Sequence, residues 1–371
     1  MTLPARQTKR IDILDQIRGV ALFAIFLVNI PGLASVAEAG PFTINSALQA
    51  VLAVVLEDSA RPLFAFMFGI SLVLIYDRLR AKDFNPYPTL IRRMGLLFFI
   101  GALHGFFVWA GDILLLYAAA GFVLLLAIRL PAKWLLGLGF FFWLGYSTGI
   151  DLLTYYTAFH LSPDSWLKDA VNASSYPFGI DYLLLEFSSM IDHLGYFFFG
   201  MYAYRSGIFL REWSGRQQKW MSGFGLLVIG LIGKAGIYFD VNSFVFHSLD
   251  DFYSFLVTIG LAMGLFLLGT GSRKGILFPF AAVGKLTFTH YLMQSLIMVS
   301  LFQNSGRTIF IELGIWTAPS YAFALTIGLL LFGFQLLVSP LWLKYFYYGP
   351  FEWVWRMGTY GKWVPLLRRR S

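Results

Sequence analysis

Cysteine is absent from the 371 residues of this chain, which excludes disulfide frameworks, thiolate nucleophiles and thiolate-held metals and leaves the redox compartment unreadable. Histidine is scarce as well. The five stand at 104, 160, 193, 247 and 290 with no close-spaced pair, so a metal site would need ligands from distant segments and none is expected. Charge is the third shortage: 13% of residues are charged against 58% hydrophobic, and the mean hydropathy is +0.69. A soluble domain of this size could not hide so much apolar surface. The composition therefore implies an all-α polytopic membrane protein whose partner is the lipid bilayer, with one integral membrane domain covering 1–371.

What is present is a series of apolar runs, rich in the 39 Phe, 19 Tyr and 11 Trp, separated by short polar stretches. They are read as about ten transmembrane helices. The first follows Arg18, the second begins near Arg61-Pro62 and ends at Tyr76, and the third and fourth form a hairpin over 92–129. The others are expected at 134–150, 193–208, 220–239, 252–268, 286–302 and 321–342. The stretch 42–57 is too short to span comfortably. The stretch 151–192 sets Asp164, Asp169, Asp181 and Glu186 against Lys168 alone and reads as an external loop with interfacial helices.

With both termini placed in the cytoplasm, all of the 28 Lys and Arg except Arg61, Lys168, Lys234 and Arg307 fall on the cytoplasmic side. This bias orients helices during insertion, so the net charge of +8 needs no nucleic-acid partner. The basic, aromatic segment after Gly349 suits an anionic membrane surface. The N-terminus also has the form of a signal peptide, with Ala37-x-Ala39 as its cleavage site, but Arg18 directly before the apolar run and Asn29 within it favour a retained helix.

His104 interrupts the apolar run between Arg92-Arg93 and the break at Gly111-Asp112. An ionisable group inside a spanning helix is costly and usually marks a site. His104 lies eleven residues past Arg93 and Asn29 eleven past Arg18, which places both ~16 Å from the cytoplasmic face at ~1.5 Å per residue. Gln294 lies at nearly the same depth, ~14 Å past Lys285, while Asp58, Arg61 and Asp112 approach from the outer side. If their helices are neighbours, these residues line one polar cavity. A neutral imidazole beside a carboxylate is a general base, with Asp112 or Asp58 as the carboxylate. Along a continuous helix Asp112 would be ~12 Å from His104, so contact requires the Gly111 break to fold it back. The alternative is that His104 bonds a neighbouring helix as structural glue.

Other matches carry less. Gly145-Tyr146-Ser147-Thr148-Gly149 fits the nucleophile-elbow pattern but lacks the preceding strand, and Gly269-x-Gly271 lacks a nucleotide-binding context. His160 and His247 are read as loop residues, His193 beside Asp192 as a polar lid, and His290 as a structural contact.

Several blocks resemble the bacterial YeiB-like membrane family, a domain of unknown function. They are Arg10 to Asp15 with Arg18-Gly19 and Val28-Asn29; Phe64-x-Phe66-Met67-Phe68-Gly69; and Arg92-Arg93 with Gly101-Ala102-Leu103-His104, Gly111-Asp112-Ile113-Leu114 and Tyr117-Ala118. Gly284-Lys285-Leu286-Thr287 with Tyr291, Gln294 and Ser295 follows, then Gly349-Pro350-x-Glu352-Trp353-x-Trp355-Arg356 with Thr359-Tyr360. More distantly, Arg18-Gly19 with the polar residue eleven positions on, and Asp58-x-x-x-Pro62-x-Phe64-x-Phe66-x-x-Gly69, are similar to the first helices of the transmembrane acyltransferase superfamily. On this view 1–130 holds the acyltransferase-like helices and 190–365 the family-specific ones. That resemblance implies transfer of an acyl group from a coenzyme A donor to a sugar hydroxyl or amine across the membrane. The superfamily's histidine position holds Asn29 here, so His104 is the expected base; the family's usual Thr-Asn-Tyr reads Thr289-His290-Tyr291.

The expectation is a bacterial inner-membrane acyltransferase-like protein, with no permanently bound cofactor and an acyl-CoA donor. His104, Asp112, Asn29 and Asp58 would form the catalytic group, and Arg18, Arg61, Arg92, Arg93, Lys285, Gln294 and Arg356 would bind donor and a small-molecule, lipid or glycan acceptor. An oligomer is compatible with this. A permease using the same cavity, or a non-catalytic membrane sensor, is the competing expectation.

Overall fold

The structure is a computed structural model that describes residues 5–36, 40, 42–146, 180–208, 216–241, 249–269, 275–315 and 320–368. Among these the regular secondary structure is entirely helical. Six stretches are long and apolar enough to cross a membrane: Ile13–Leu33, Ile44–Arg80, Pro86–Phe107, Lys219–Tyr238, Asp250–Gly269 and Tyr321–Tyr345. The cleavage-site match at 37–39, Ser147 to Gly149, most of the expected external segment with His160, and His247 and Gly271 lie outside the described residues.

Local sequence signals set several helix starts. Thr43 caps α2 (Ile44–Val55) in a reciprocal box with Ser46. Asn85 caps α4 (Pro86–Phe107), whose first residue is a proline with no N–H to leave unpaired. The remaining helices of the first half are α1 (Ala5–Leu33), α3 (Ala60–Arg80), α5 (Leu114–Ala127) and α6 (Ala132–Phe140), the last continuing as a π-helical turn over Phe141–Tyr146.

The second half begins with α7 (Ile180–Arg205). This corrects the expected start at 193. The reason is visible in the packing: Tyr182, Met190, Leu194 and Phe197 bury one side of the helix, so burial carries it straight through the acidic residues. Then come α8 (Arg216–Tyr238), α9 (Asp250–Gly269), α10 (Phe280–Lys285), α11 (Thr287–Phe302), α12 (Asn304–Glu312), α13 (Tyr321–Tyr345, capped by Ser320) and α14 (Pro350–Tyr360).

The chain divides into two compact units, one of residues 1–64, 213–353 and 365–371, the other of 65–212 and 354–364. In the first, α1 packs on α10 backbone to backbone. A side chain at Gly284 would strike the Asp15 carbonyl, and one at Gly19 the Phe280 carbonyl. In lipid, where burial of apolar side chains gives little drive for helices to pair, such close approach supplies the packing. In the second unit Phe68, Tyr117 and Phe197 meet edge to face, with ring centroids 5.4, 5.5 and 4.9 Å apart, and tie α3, α5 and α7 together.

The expected surface segment after Gly349 contributes one structural bond of note. Glu352 on α14 accepts from the Thr289 backbone N–H at 2.9 Å and pairs with the Thr289 hydroxyl, so it caps the first turn of α11 from a distant part of the chain. Burial pushes the Glu352 carboxyl above its ordinary value of 4.5, with the Thr289 bonds opposing. The folded chain therefore retains a proton there that the unfolded chain releases. The resulting increment of stability is complete below 4.5 and lost as the pH rises through the raised value. The thermal midpoint in detergent is expected to fall over that window, and Glu352→Gln to flatten the fall; an unchanged profile in the variant would assign the slope to other groups.

Candidate functional site

The second unit holds a buried ionisable pair. His104 Nδ1 lies 3.4 Å from Asp112 Oδ1, with the two side chains 4% and 0% exposed. Three local features produce this. The α4 helix ends one turn after His104, whose carbonyl accepts from the backbone N–H groups of Val108 and Trp109 at 2.8 and 3.0 Å. The chain then reverses through 108–113 into α5. At Gly101 the two helices nearly touch, because a Cβ there would lie 2.6 Å from the Leu115 backbone nitrogen. The reversal returns Asp112 to the level of His104, a contact that a regular helix forbids.

A further residue stands beside this pair, within the segment expected to be an external loop with interfacial helices. Tyr182, on α7, is 1% exposed, and among the described residues its hydroxyl has no hydrogen-bond partner. It occupies the space left by the missing side chain of Gly105, next to His104, and its ring meets Phe106 at 5.3 Å. Asp112 and Glu186 both act on it electrostatically. A buried hydroxyl without a partner costs ~1–3 kcal/mol, so its retention needs a reason. Spacing alone offered one clue: Tyr182 and Glu186 are one helical turn apart.

In the first unit Asn29 is buried on α1 at 5% exposure. Asp58, exposed, sits in the turn between α2 and α3 with φ 53°, a left-handed conformation that aspartate tolerates better than most residues. Arg61 opens α3 close by and acts on Glu57. The missed residue here is Lys234, only 6% exposed within an apolar helix; its ammonium donates to the Glu57 carbonyl, and Asp58, Asp250 and Glu57 act on it electrostatically. Its position as an intramembrane charge was the available signal.

Gln294 bonds sideways. Its Nε2 donates to Gln335 Oε1 on α13 at 2.8 Å, and His290 Nε2 meets Ser339 Oγ at 2.7 Å one turn away, a polar ladder between α11 and α13.

The basic residues expected to bind the donor fall in both units. Arg18 pairs with Asp15 at 2.7 Å, and Lys285 is exposed at the end of α10. In the other unit Arg93 lies 3.7 Å from the centre of the Trp355 ring, whose Nε1 donates to the Arg93 carbonyl at 3.1 Å. Arg92 is exposed, and Arg356 stands 5.2 Å over the Tyr360 ring. Trp355 thus positions Arg93 within its own unit.

Residues 203–362 match the family model described as "Protein of unknown function (DUF418)". Over nearly its whole length the chain is similar to bacterial proteins whose printed names call them uncharacterized. It is 29% identical to YxaH of Bacillus subtilis, with 99% of this chain and 98% of that protein covered. It is 26% identical to YeiB of Escherichia coli over 96% and 98%. A 39.9 kDa protein of the amylase 3' region in Bacillus acidopullulyticus is 25% identical over 99% of both. No solved structure matches the chain at a significant level.

Proposed function

We propose that this YeiB-like chain is a bacterial inner-membrane acyltransferase of ten transmembrane helices with both termini in the cytoplasm. It moves an acyl group from a coenzyme A-type donor to an extracytoplasmic hydroxyl or amine. The observation that carries this reading is the buried His104–Asp112 pair at 3.4 Å. Asp112 holds the imidazole with its proton on Nδ1, which leaves Nε2 as the base. As the acceptor attacks the thioester carbonyl, its proton passes to Nε2; the carbon–sulfur bond then breaks and the departing thiolate takes that proton. The Tyr182 hydroxyl supplies a donor for the negative charge that develops on the carbonyl oxygen. Arg92, Arg93 and Arg356, all of the second unit, supply positive charge for the donor's phosphates.

A second reading has its own observation. Lys234, buried against Glu57 and near Asp58 and Asp250, is a titratable cluster in an apolar helix, as a proton-coupled permease would use.

Binding of labelled acetyl-CoA and longer acyl-CoAs to the purified, detergent-solubilised protein separates the two. Saturable binding that Arg92→Ala weakens about tenfold, the effect of one charge-assisted phosphate contact, is expected. A folded wild-type protein that binds no donor, yet supports solute uptake in proteoliposomes that Lys234→Met abolishes, would replace the enzyme with the permease.

A further inference from the structure

A cleft in the second unit has no part in the proposed acyl-transfer chemistry. It encloses about 530 Å³ at the ends of α3, α5 and α7 and is lined by Tyr76, Asp77, Arg80, Arg129 and Arg205, with Tyr87 beside Arg129. That volume suits a small ligand or a head group.

Its arginines are held in place. Arg205 donates from one terminal nitrogen to both Asp77 oxygens at 3.1 and 3.2 Å and from the other to the Ile128 carbonyl at 3.0 Å. Its Nε is buried and has no hydrogen-bond partner among the described residues. Arg129 donates to the Tyr76 hydroxyl at 3.2 Å and lies 5.0 Å over the Tyr87 ring. Arg80 is exposed at the end of α3. Three guanidiniums face a single carboxylate, so the walls carry two positive charges in excess.

Orientation in the membrane explains why arginines sit at this end of the helices, and the negative ends of helix dipoles favour them there. Neither explains why two of the three are anchored by side-chain and backbone bonds around an open cavity. We infer that the cleft binds a phosphate-bearing anion, whose oxygens take the forked N–H groups of Arg80, Arg129 and Arg205. The inference is independent of acyl transfer and of His104. The phosphate belongs either to a phospholipid head group or to a soluble phosphate compound.

The test uses the full-length protein and reads thermal stability and direct binding. One arm adds pyrophosphate or adenosine 3',5'-bisphosphate in a zwitterionic detergent; the other compares nanodiscs of phosphatidylcholine alone with nanodiscs containing phosphatidylglycerol. Arg80→Gln and Arg129→Gln are each expected to weaken binding about tenfold or more in the responsive arm, and Lys82→Gln, an exposed charge outside the cleft, to leave it unchanged. Saturation in either arm with that pattern supports the site and names its source. No saturable binding in either arm, or equal weakening by Lys82→Gln, would overturn it. Wild-type thermal midpoints for the variants without ligand exclude misfolding as the cause of a loss.

Discussion

Asp112→Asn is expected to lower acyl transfer about a thousandfold, within the ~10²–10⁴ range that a positioned general base contributes, while donor affinity stays near that of the wild type. The carboxylate lies 3.4 Å from His104 Nδ1 and is fully enclosed. An asparagine keeps the shape but presents an amide N–H₂ group to that nitrogen. The imidazole then shifts its proton to Nε2 and loses the lone pair that accepts from the acceptor group. Asparagine is the informative replacement because it removes charge from a buried site. His104→Ala would instead leave a carboxylate enclosed without its partner, which costs ~3–5 kcal/mol and confounds activity with folding. Turnover of labelled acyl-CoA in detergent, measured beside equilibrium binding, separates the two effects. Turnover equal to wild type would make the pair structural. Tyr182→Phe then provides a graded companion, losing the hydroxyl but keeping the ring against Phe106.

The second large effect is structural. Gly284→Leu and Gly19→Leu are each expected to prevent recovery of folded protein, because the atoms in the way belong to backbone. Beyond the carbonyl oxygens that a side chain would strike, the Gly19 nitrogen lies 3.0 Å from the Cβ position at Gly284, and the Phe280 carbonyl carbon 3.0 Å from that at Gly19. Overpacking a core by a flexible side chain costs ~1–3 kcal/mol, and here two helix backbones must part. Gly264→Ala and Gly333→Ala are the controls. Nothing lies within 4 Å of either Cβ position, so both should be tolerated, with a gain of up to about 1 kcal/mol from helix propensity. The measurement is monodisperse yield and thermal midpoint after membrane extraction. Equal behaviour of the two sets would show that α1 and α10 separate at little cost.

These glycines also change what the family-like blocks mean. Arg18-Gly19 and Gly284-Lys285 read most naturally as charge motifs, yet in each the glycine makes a helix crossing. Glu352 and Trp355 have similar tasks, one capping α11 and the other stacking on Arg93. A conspicuous polar residue in a sparsely charged chain draws attention first, while the small residue beside it sets the geometry.

By itself the sequence determined the membrane class, the helical secondary structure and many helix starts, since each depends on neighbours within a turn or on bulk hydrophobicity. Thr43, Asn85-Pro86 and Ser320 mark their helices locally. It also singled out His104, because one imidazole in an apolar run is visible without a fold. Only the tertiary structure decided which groups meet. It turned the chain at 108–113 so that Asp112 reaches His104, carried α7 through Tyr182 and Glu186, joined Gln294 to Gln335 and set Lys234 against Glu57, 177 residues away in sequence. The physical reason lies in the helices themselves. A helix apolar on every side carries no stripe to say which face turns inward, so its neighbours are chosen by glycine contacts and buried polar bonds between residues far apart in the chain.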